Sequence, residues 1–477
     1  MATGNWDENN RPQIPGFYNR FETKAEERIG TGIHGILAMP VKSDWGETKK
    51  VISIKSEKEL KKQFGENMNL TAFRLGRLAL LGNPKELLLY RMTDDNAKCS
   101  TLTLKNGESA PADIIVLESK YPTTRDFNIT IRANLIAQDK RDLILFEGSK
   151  QLFAITALDS NLDEVVERIN SNVENTYINA KKIDNATGSL GEVANKKFTG
   201  GNDGISAITN KHYLETMKAF ESYGIDGFTL DGVTDISLQN CVKEWVIRNK
   251  DEGINIIAFL GGSKEETLEQ ANSKSKEFNH EDVVNVFCHG YYEGIKYNQA
   301  EVAVYVAALG TGQRLGESLC NEVTIFDEVE PRLSKVEIET ALNSGTLVLT
   351  KDDSDVIIVD DVNTLKNYPD NKSDVFGSIR AVKFLNAVDG DTSLKRKDFV
   401  GKVTNDPENN TGRTLILCAL KKYFETLSNA GIIRNDFTVE IDKELQAKAK
   451  SDEFFWKWNA TYIDVVKRIY GTGYVKK

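Results

Sequence analysis

Cys288-His289 is the place in this 477-residue chain where two soft ligands adjoin. A thiol beside an imidazole makes a nucleophilic pair if a third group orients the ring. It contributes to a zinc site if a second pair lies at ligand spacing. No second pair exists, because His34, His212 and His280 and the cysteines Cys99, Cys241, Cys320 and Cys418 are scattered. The sequence reveals no orienting group, so the pair reads as a core position at a strand end. An odd, dispersed set of cysteines without C-x-x-C fits reduced thiols in a cytosolic product.

Two glycine-rich loops invite a cofactor reading. Leu309-Gly310-Thr311-Gly312-Gln313-Arg314-Leu315-Gly316 contains G-x-G, but its third glycine is one place too far along. It also follows a helical pattern, where the dinucleotide fingerprint follows a strand. Helix-terminating glycines explain it. Gly261-Gly262-Ser263 is better placed, after a strand and before a helix, where amide donors could hold an anion. It lacks the lysine of a phosphate loop, and Ser263 reads as a helix N-cap. Neither G-x-x-x-x-G-K-[ST] nor G-x-S-x-G occurs. Asp231, Asp235 and the cluster Asp352, Asp353 and Asp355 sit at turns, where carboxylates are normally solvated caps. No catalytic residue, metal ligand or cofactor is expected, and the chain reads as something other than an enzyme.

Composition points the same way. At 40% apolar and 28% charged residues the chain is an ordinary folded soluble protein. Its length implies about two to four domains. A net charge of −10 argues against nucleic acid as a partner, which calls for a basic stripe. No signal-peptide pattern opens the chain and no run approaches membrane-spanning length, so synthesis in a cytoplasm without membrane insertion is expected.

The elements that would position any site predict an α/β, multidomain α+β chain. Residues 1–25 read as an extended arm and 26–95 as the first part of a core. That part has a strand over Gly32–Pro40, a helix over Ser56–Phe64 with a capping box from Ser56 and Glu59, a helix over Leu70–Leu81 and a strand at Leu87–Arg91. Residues 96–198 carry short alternating runs, among them Asp113–Glu118, Phe127–Ala133 and Leu143–Glu147, expected to form an inserted β-rich, sandwich-like domain. Residues 199–345 return to βα repeats, with strands at Gly227–Leu230, Ile254–Leu260 and Val283–Cys288. Leu238, Cys241, Val242, Trp245 and Val246 share one helix face, and Gln299–Leu309 is apolar all round. This predicts a core with a parallel or mixed sheet. Residues 346–461 are expected to form a C-terminal α/β domain, whose clearest helix is Arg413–Ala430 ended by Gly431. Residues 462–477 read as a C-terminal strand arm.

Both ends carry apolar strips that do not suit a chain terminus, which normally frays. The first is Ile14, Pro15, Gly16, Phe17, Tyr18, Asn19, Arg20 and Phe21. The second is Arg468, Ile469, Tyr470, Gly471, Thr472, Gly473, Tyr474 and Val475. Such strips read as strands for a sheet edge on another molecule. The basic run Lys395, Arg396 and Lys397 and the pair Lys421 and Lys422 suit an acidic surface, or simply a solvated one.

The chain resembles contractile tail sheath proteins of bacteriophages, prophages and phage-tail-like bacteriocins over nearly its full length. The resemblance lies in Gln13–Phe21 with Arg28-Ile29-Gly30-Thr31-Gly32, in Lys120–Arg125 and in Phe198-Thr199-Gly200-Gly201-Asn202-Asp203-Gly204. It continues in Phe399–Asn405 with Gly412-Arg413 and in Asp464–Val475. The chain departs from it at Thr123 and Asp126, where family members often carry glycine. The resemblance implies a structural protein that polymerises into hexameric rings stacked in a helical tube around an inner tail tube protein. It implies baseplate and tail terminator proteins as further partners, and a virion or tail-like particle as the location. Arms over approximately Pro12–Glu22 and Val466–Val475 would add strands to neighbouring subunits, with the β-rich domain facing outward and the C-terminal domain inward. Contraction would then be a rigid-body shift with the arms as hinges. Gly471 and Gly473 are hinge candidates, or the site of a bend in the strand. Lys395, Arg396, Lys397, Lys421 and Lys422 are candidates for contact with the tube. The competing reading is an α/β nucleotide- or small-molecule-binding enzyme using the loop after the strand ending at Leu260. A third reading, the sheath of a cell-anchored secretion system, shares the first mechanism.

Overall fold

Runs such as Ile36-Leu37-Ala38-Met39 and Ile257-Ala258-Phe259-Leu260 are apolar at every position, as a strand buried on both faces requires. In the computed structural model they lie inside a mixed eight-stranded sheet. The structure describes residues 34–370, 372–406 and 411–476, with the backbone of strands Ala2–Asn5 and Gly16–Asn19. The chain divides into two units, Ile33–Gly390 with Val465–Lys477, and Met1–Gly32 with Asp391–Asp464.

Across the large sheet the strands run Asp355–Ile358, Thr346–Asp352, Val283–Phe287, Ile257–Gly261, Gly227–Thr229, Ile36–Val41, Glu86–Arg91 and Val51–Ile54. The inner six are parallel and the two edges antiparallel. Alternate side chains feed opposite cores. Leu37, Met39, Leu87, Leu89, Ile257 and Phe259 enter one face, with helices Thr71–Leu81 and Gln299–Gly312. Ala38, Leu88, Tyr90, Phe228, Ala258 and Leu260 enter the other, with helices Asn210–Phe220 and Ile236–Asp251. Helix Gln299–Gly312 is buried on nearly all sides, which explains its lack of a polar stripe.

Between Glu86–Arg91 and Gly227–Thr229 a β-sandwich is inserted. One sheet orders Lys150–Leu158, Arg141–Glu147, Phe127–Ala133 and Val193–Lys197; the other orders Ile178–Lys182, Asp113–Pro122 and Cys99–Lys105. All pairs are antiparallel. Helix Leu162–Ser171 closes the sandwich with Leu162, Val165 and Ile169.

Three devices tie the sandwich to the large sheet. Trp45, from the loop after Ile36–Val41, enters the sandwich core edge-on to Tyr121 and Phe127 at 5.1 and 5.5 Å. The Arg125 guanidinium covers Trp45 at 5.0 Å and is held by Glu147 at 2.5 and 2.6 Å. Arg91 is fully buried and donates to the carbonyls of Gly46, Pro122 and Asp203 at 2.7, 2.7 and 3.2 Å. Burial pulls its guanidinium down to about 10, so it stays charged at neutral pH. The two linkers also pair, Lys98 with Asn202 and Thr101 with Thr199. Gly201 is needed there, because a Cβ would sit 2.2 Å from the Thr123 carbonyl oxygen.

In the other unit, helix Thr411–Asn429 buries Leu420, Tyr423, Phe424 and Leu427. Phe424 packs on Phe437 and Trp458, and Tyr423 donates to Asp391 at 2.9 Å. Strands Thr438–Ile441 and Trp456–Asn459 form an antiparallel ribbon without a register shift, prolonged by an Ile433–Tyr462 bridge. Near the N-terminus, Gly16–Asn19 runs parallel to Ala2–Asn5.

Some expectations change. Strands Thr346–Asp352 and Asp355–Ile358, assigned by sequence to a domain over 346–461, belong to the large sheet through pairing with Val283–Phe287. The strand expected to stop at Pro40 runs through it to Val41, because Gly227–Thr229 pairs only with Leu37 and Ala38 on that side. Ser263 is not a helix N-cap. The helix begins at Leu268, and Thr267 caps it by accepting from Gln270 N at 3.3 Å.

The Arg91 clamp predicts that Arg91→Met leaves one buried and two part-buried carbonyls without this donor. A loss of about 2–4 kcal/mol is expected, read as a lower melting temperature with earlier proteolysis of the sandwich linkers. An unchanged melting curve would show that Trp45 and Arg125 hold the junction alone.

Candidate functional site

An open α/β sheet offers a ligand crevice where the strand order reverses, outside the carboxyl ends of the strands. Here the reversal lies between Ile36–Val41 and Gly227–Thr229. The protein's own side chains fill it. Asp231, fully buried, accepts from Tyr213 Oη at 2.7 Å and Thr71 Oγ1 at 2.9 Å, with Lys42 Nζ at 3.6 Å. Burial raises its carboxyl, opposed by Lys42 and the two hydroxyls. Asp231 is therefore not the solvated turn residue expected from sequence. Asp235 does act as a cap, accepting from Leu238 N at 2.9 Å.

The loop at Gly261-Gly262-Ser263 is likewise occupied. Gly261 packs on Gln299, where a Cβ would lie 2.3 Å from the carbonyl oxygen, and at Gly262 the Glu266 carboxylate fills the space a side chain would take. Lys274 holds Glu266 at 2.8 Å. A carboxylate where a phosphate would have to bind removes the support for the nucleotide-binding reading. Gly310 and Gly312 lie within the last turn of helix Gln299–Gly312, where Gly312 abuts Asn83.

Cys288 is buried, its thiol is pushed up to about 12 by burial, and it points to the Leu349 carbonyl at 3.5 Å. That thiol is neutral and no nucleophile. Burial also lowers the His289 imidazole. Sequence reasoning missed a different cluster, His280, Glu281 and Asp282, whose ligand atoms converge closely enough for a metal ion. Its carboxylates are already met by lysines. Lys250 lies 3.0 Å from Glu281 and 2.5 Å from Asp282, and Lys372 lies 2.5 Å from Glu281. Lys250 and Lys372 are far from the triplet in sequence, so no local motif announced the cluster.

The expected arms are placed unequally. Ile14, Pro15, Arg20 and Phe21 lie outside the described residues; Gly16, Phe17, Tyr18 and Asn19 form the strand paired with Ala2–Asn5. The C-terminal strip is described through Lys476 and has no secondary structure. Val466, Ile469, Tyr470, Tyr474 and Val475 are between 80% and 100% exposed. Nothing lies within 4 Å of where a Cβ would stand on Gly471 or Gly473. Among the described residues no packing calls for glycine there. Among the candidate basic residues, Lys395 is paired with Asp398 at 2.9 Å. Arg396, Lys397 and Lys421 are exposed and Lys422 half-buried.

Comparison with known proteins assigns the whole arrangement. Models for three parts of one protein match in order: the phage tail sheath protein beta-sandwich domain over 93–203, the central domain over 206–364 and the phage tail sheath C-terminal domain over 371–476. The chain belongs to the phage tail sheath protein family. It is 24% identical over 493 residues to the phage-like element PBSX protein XkdK of Bacillus subtilis, spanning 98% of this chain and 99% of that one. A sheath tail protein from Desulfitobacterium hafniense shares the fold, with a TM-score of 0.70 at 23% identity over 94% of this chain and 100% of its own. The helical sheath of the anti-feeding prophage in its contracted state matches with a TM-score of 0.55 at 8% identity, over 97% and 99% of the two chains. The role of this sheath protein is structural. The central-domain match takes in Thr346–Asp352 and Asp355–Ile358, in keeping with their place in the large sheet. Among the described residues no helix is long and apolar enough to cross a membrane.

In a structural protein the His280 cluster is a buried electrostatic knot with a defined acid response. Burial pushes the Glu281 carboxyl up, but Lys250, Lys372 and His280 outweigh it and hold it at about 2, against an ordinary 4.5. A depressed carboxyl gives its full stabilisation above the ordinary value and loses it as pH falls from about 4.5 toward about 2. Glu281→Gln is expected to cost about 3 kcal/mol near neutrality by leaving Lys372 without its carboxylate. It should also flatten the fall in melting temperature across that acid window. An equally steep fall in the variant would place the acid response elsewhere.

Proposed function

We propose that this sheath protein polymerises into hexameric rings stacked as a helical tube around an inner tail tube, knitted together by strands donated between copies. The observation that carries the reading is the C-terminal arm, which holds Val466, Ile469 and Val475 with Tyr470 and Tyr474 almost wholly in water. Docking such side chains contributes about 1.5–3 kcal/mol for each large one buried, and each added backbone hydrogen bond about 0.5–1.5 kcal/mol. The proposed acceptor is the ribbon Thr438–Ile441 with Trp456–Asn459. Its register is unbroken, and a two-stranded ribbon is marginal by itself. The N-terminal strand Gly16–Asn19 is proposed as the second donor.

A copy that donates to one neighbour and accepts from another makes heterologous contacts that do not close, which generates a helical filament. Covalent attachment keeps each arm near its acceptor, so the mesh survives rearrangement although one arm is modest. Contraction is a rigid-body shift of the globular parts with the arms as hinges, Gly471 and Gly473 supplying the backbone freedom. The extended tube is a kinetically trapped state. The more extensive contacts of the contracted tube drive the inner tube through a target envelope. The β-sandwich faces outward and the C-terminal domain inward, where Arg396, Lys397 and Lys421 are exposed toward an acidic tube surface. Baseplate and tail terminator proteins bound the two ends, within a tail or tail-like particle assembled in the bacterial cytoplasm. No catalytic step enters the mechanism.

Deletion of residues 1–22 or 466–477 tests the reading. Each truncated chain is expected to stay folded, with some loss of melting temperature where the deletion leaves Asp360 without Lys467, yet form no tubes by negative-stain electron microscopy. Tubes from both truncations, like those of the full chain, would end the strand-donation mechanism.

A further inference from the structure

The C-terminal arm has a fixed root. Lys467 Nζ lies 2.7 Å from Asp360 Oδ1, with only 16% and 13% of the two side chains exposed. Asp360 follows closely on Asp355–Ile358, the edge strand of the large sheet. Its Oδ1 also accepts from Asp361 N at 2.8 Å. Asp361 is buried in turn, accepting from Ser318 Oγ at 3.0 Å and Ser378 Oγ at 3.1 Å. Burial would raise the Asp360 carboxyl, and the Lys467 ammonium outweighs it, leaving it below the ordinary range. Beyond this contact the chain is exposed from Arg468 to Lys476, and Val466 beside it is 80% exposed.

We propose that Lys467 paired with Asp360 is the positioning anchor of the C-terminal arm, fixing the point on the large sheet from which a donated strand sets out toward a second copy. The inference deepens the strand-donation reading and rests on it. Beyond the anchor, residues 468–476 reach at most roughly 30 Å when extended. Few residues are therefore free as slack, and the place where the donated strand lands is tied to the orientation of the donor's sheet. Without the anchor, slack would begin further back, and the arm could dock in displaced registers that keep the same side chains facing in. A half-buried ion pair suits the task because salt screens it less than an exposed one.

Two variants separate the anchor from the mechanism it serves. In unassembled full-length chain, trypsin cleavage after Arg468 requires the flanking residues to extend into the protease. It is expected to run about tenfold faster in Asp360→Asn and in Lys467→Met than in the natural sequence. The exchange Asp360→Lys with Lys467→Asp is expected to restore the slow rate. Equal rates in all four chains would remove the anchor, whatever the fate of strand donation. In assembled tubes, the single variants are expected to show displaced or heterogeneous ring spacing by cryo-electron microscopy, and the exchange to recover it. Fast cleavage with unchanged spacing would mean the pair holds the root but does not position the strand, which overturns the proposal. If the natural chain forms no tubes while cleavage follows the expected order, the failure lies with strand donation and not with the anchor.

Discussion

Every β-strand carries unmet N–H and C=O groups along any edge that no neighbour covers, and this constraint organises the chain. The edge strand Asp355–Ile358 is covered by the segment around Glu322 to Thr324, through Thr324 N to Val356 O at 2.8 Å and Ile358 N to Glu322 O at 3.0 Å. The opposite edge, Val51–Ile54, is four residues long between Lys50 and Lys55. In the sandwich, Lys150–Leu158 is broken by two register shifts, and Val193–Lys197 by one, with lysines at its end. Cys99–Lys105 is bridged by the return linker. These are ordinary defences against joining another chain. The ribbon Thr438–Ile441 with Trp456–Asn459 has no register shift, and the C-terminal strip leaves its apolar side chains in water. A chain that covers or breaks those edges and leaves the ribbon and the strip plain is suited to pairing between molecules.

The same economy marks the interior. The crevice at the strand reversal is packed with Asp231, Tyr213, Thr71 and Lys42, and the anion-sized space at Gly262 holds Glu266. The cluster at His280 is neutralised by Lys250 and Lys372. At each of these three places a residue of the chain itself takes up the space or meets the charge. Buried charges met in this way stiffen the core, because losing one partner leaves the other uncompensated.

The joints between the sandwich and the large sheet follow the same rule. Arg91 joins three segments by their carbonyls, and Trp45 with Arg125 joins the sandwich core to the loop of the large sheet. The sandwich and the large sheet are thereby coupled through buried and partly buried contacts. By contrast, the strip beyond Lys467 is exposed throughout its described length.

The sequence by itself determined much of the local structure. The capping box at Ser56 and the one-faced stripe ending at Gly431 depend on neighbours along the chain, and so does the alternation in Phe127–Ala133. The structure places the last two as read; Ser56 does cap its helix by accepting from Glu59 N, but Glu59 accepts from Lys55 N instead of Ser56 N, so only half of the box forms. Local period also gave the apolar strips at the ends and the absence of a phosphate loop. Only the tertiary structure decided the rest, because it turns on residues far apart in the chain. Thr346–Asp352 joins the large sheet by pairing with a strand some sixty residues earlier, which no local period encodes. Ser263 lost its capping role to Thr267 because Glu266 and Lys274 fill the turn between them. The burial of Asp231, the Arg91 clamp and the Lys467–Asp360 pair likewise arise from long-range packing. A pair of charges earns its geometry only once the fold has removed the water between them.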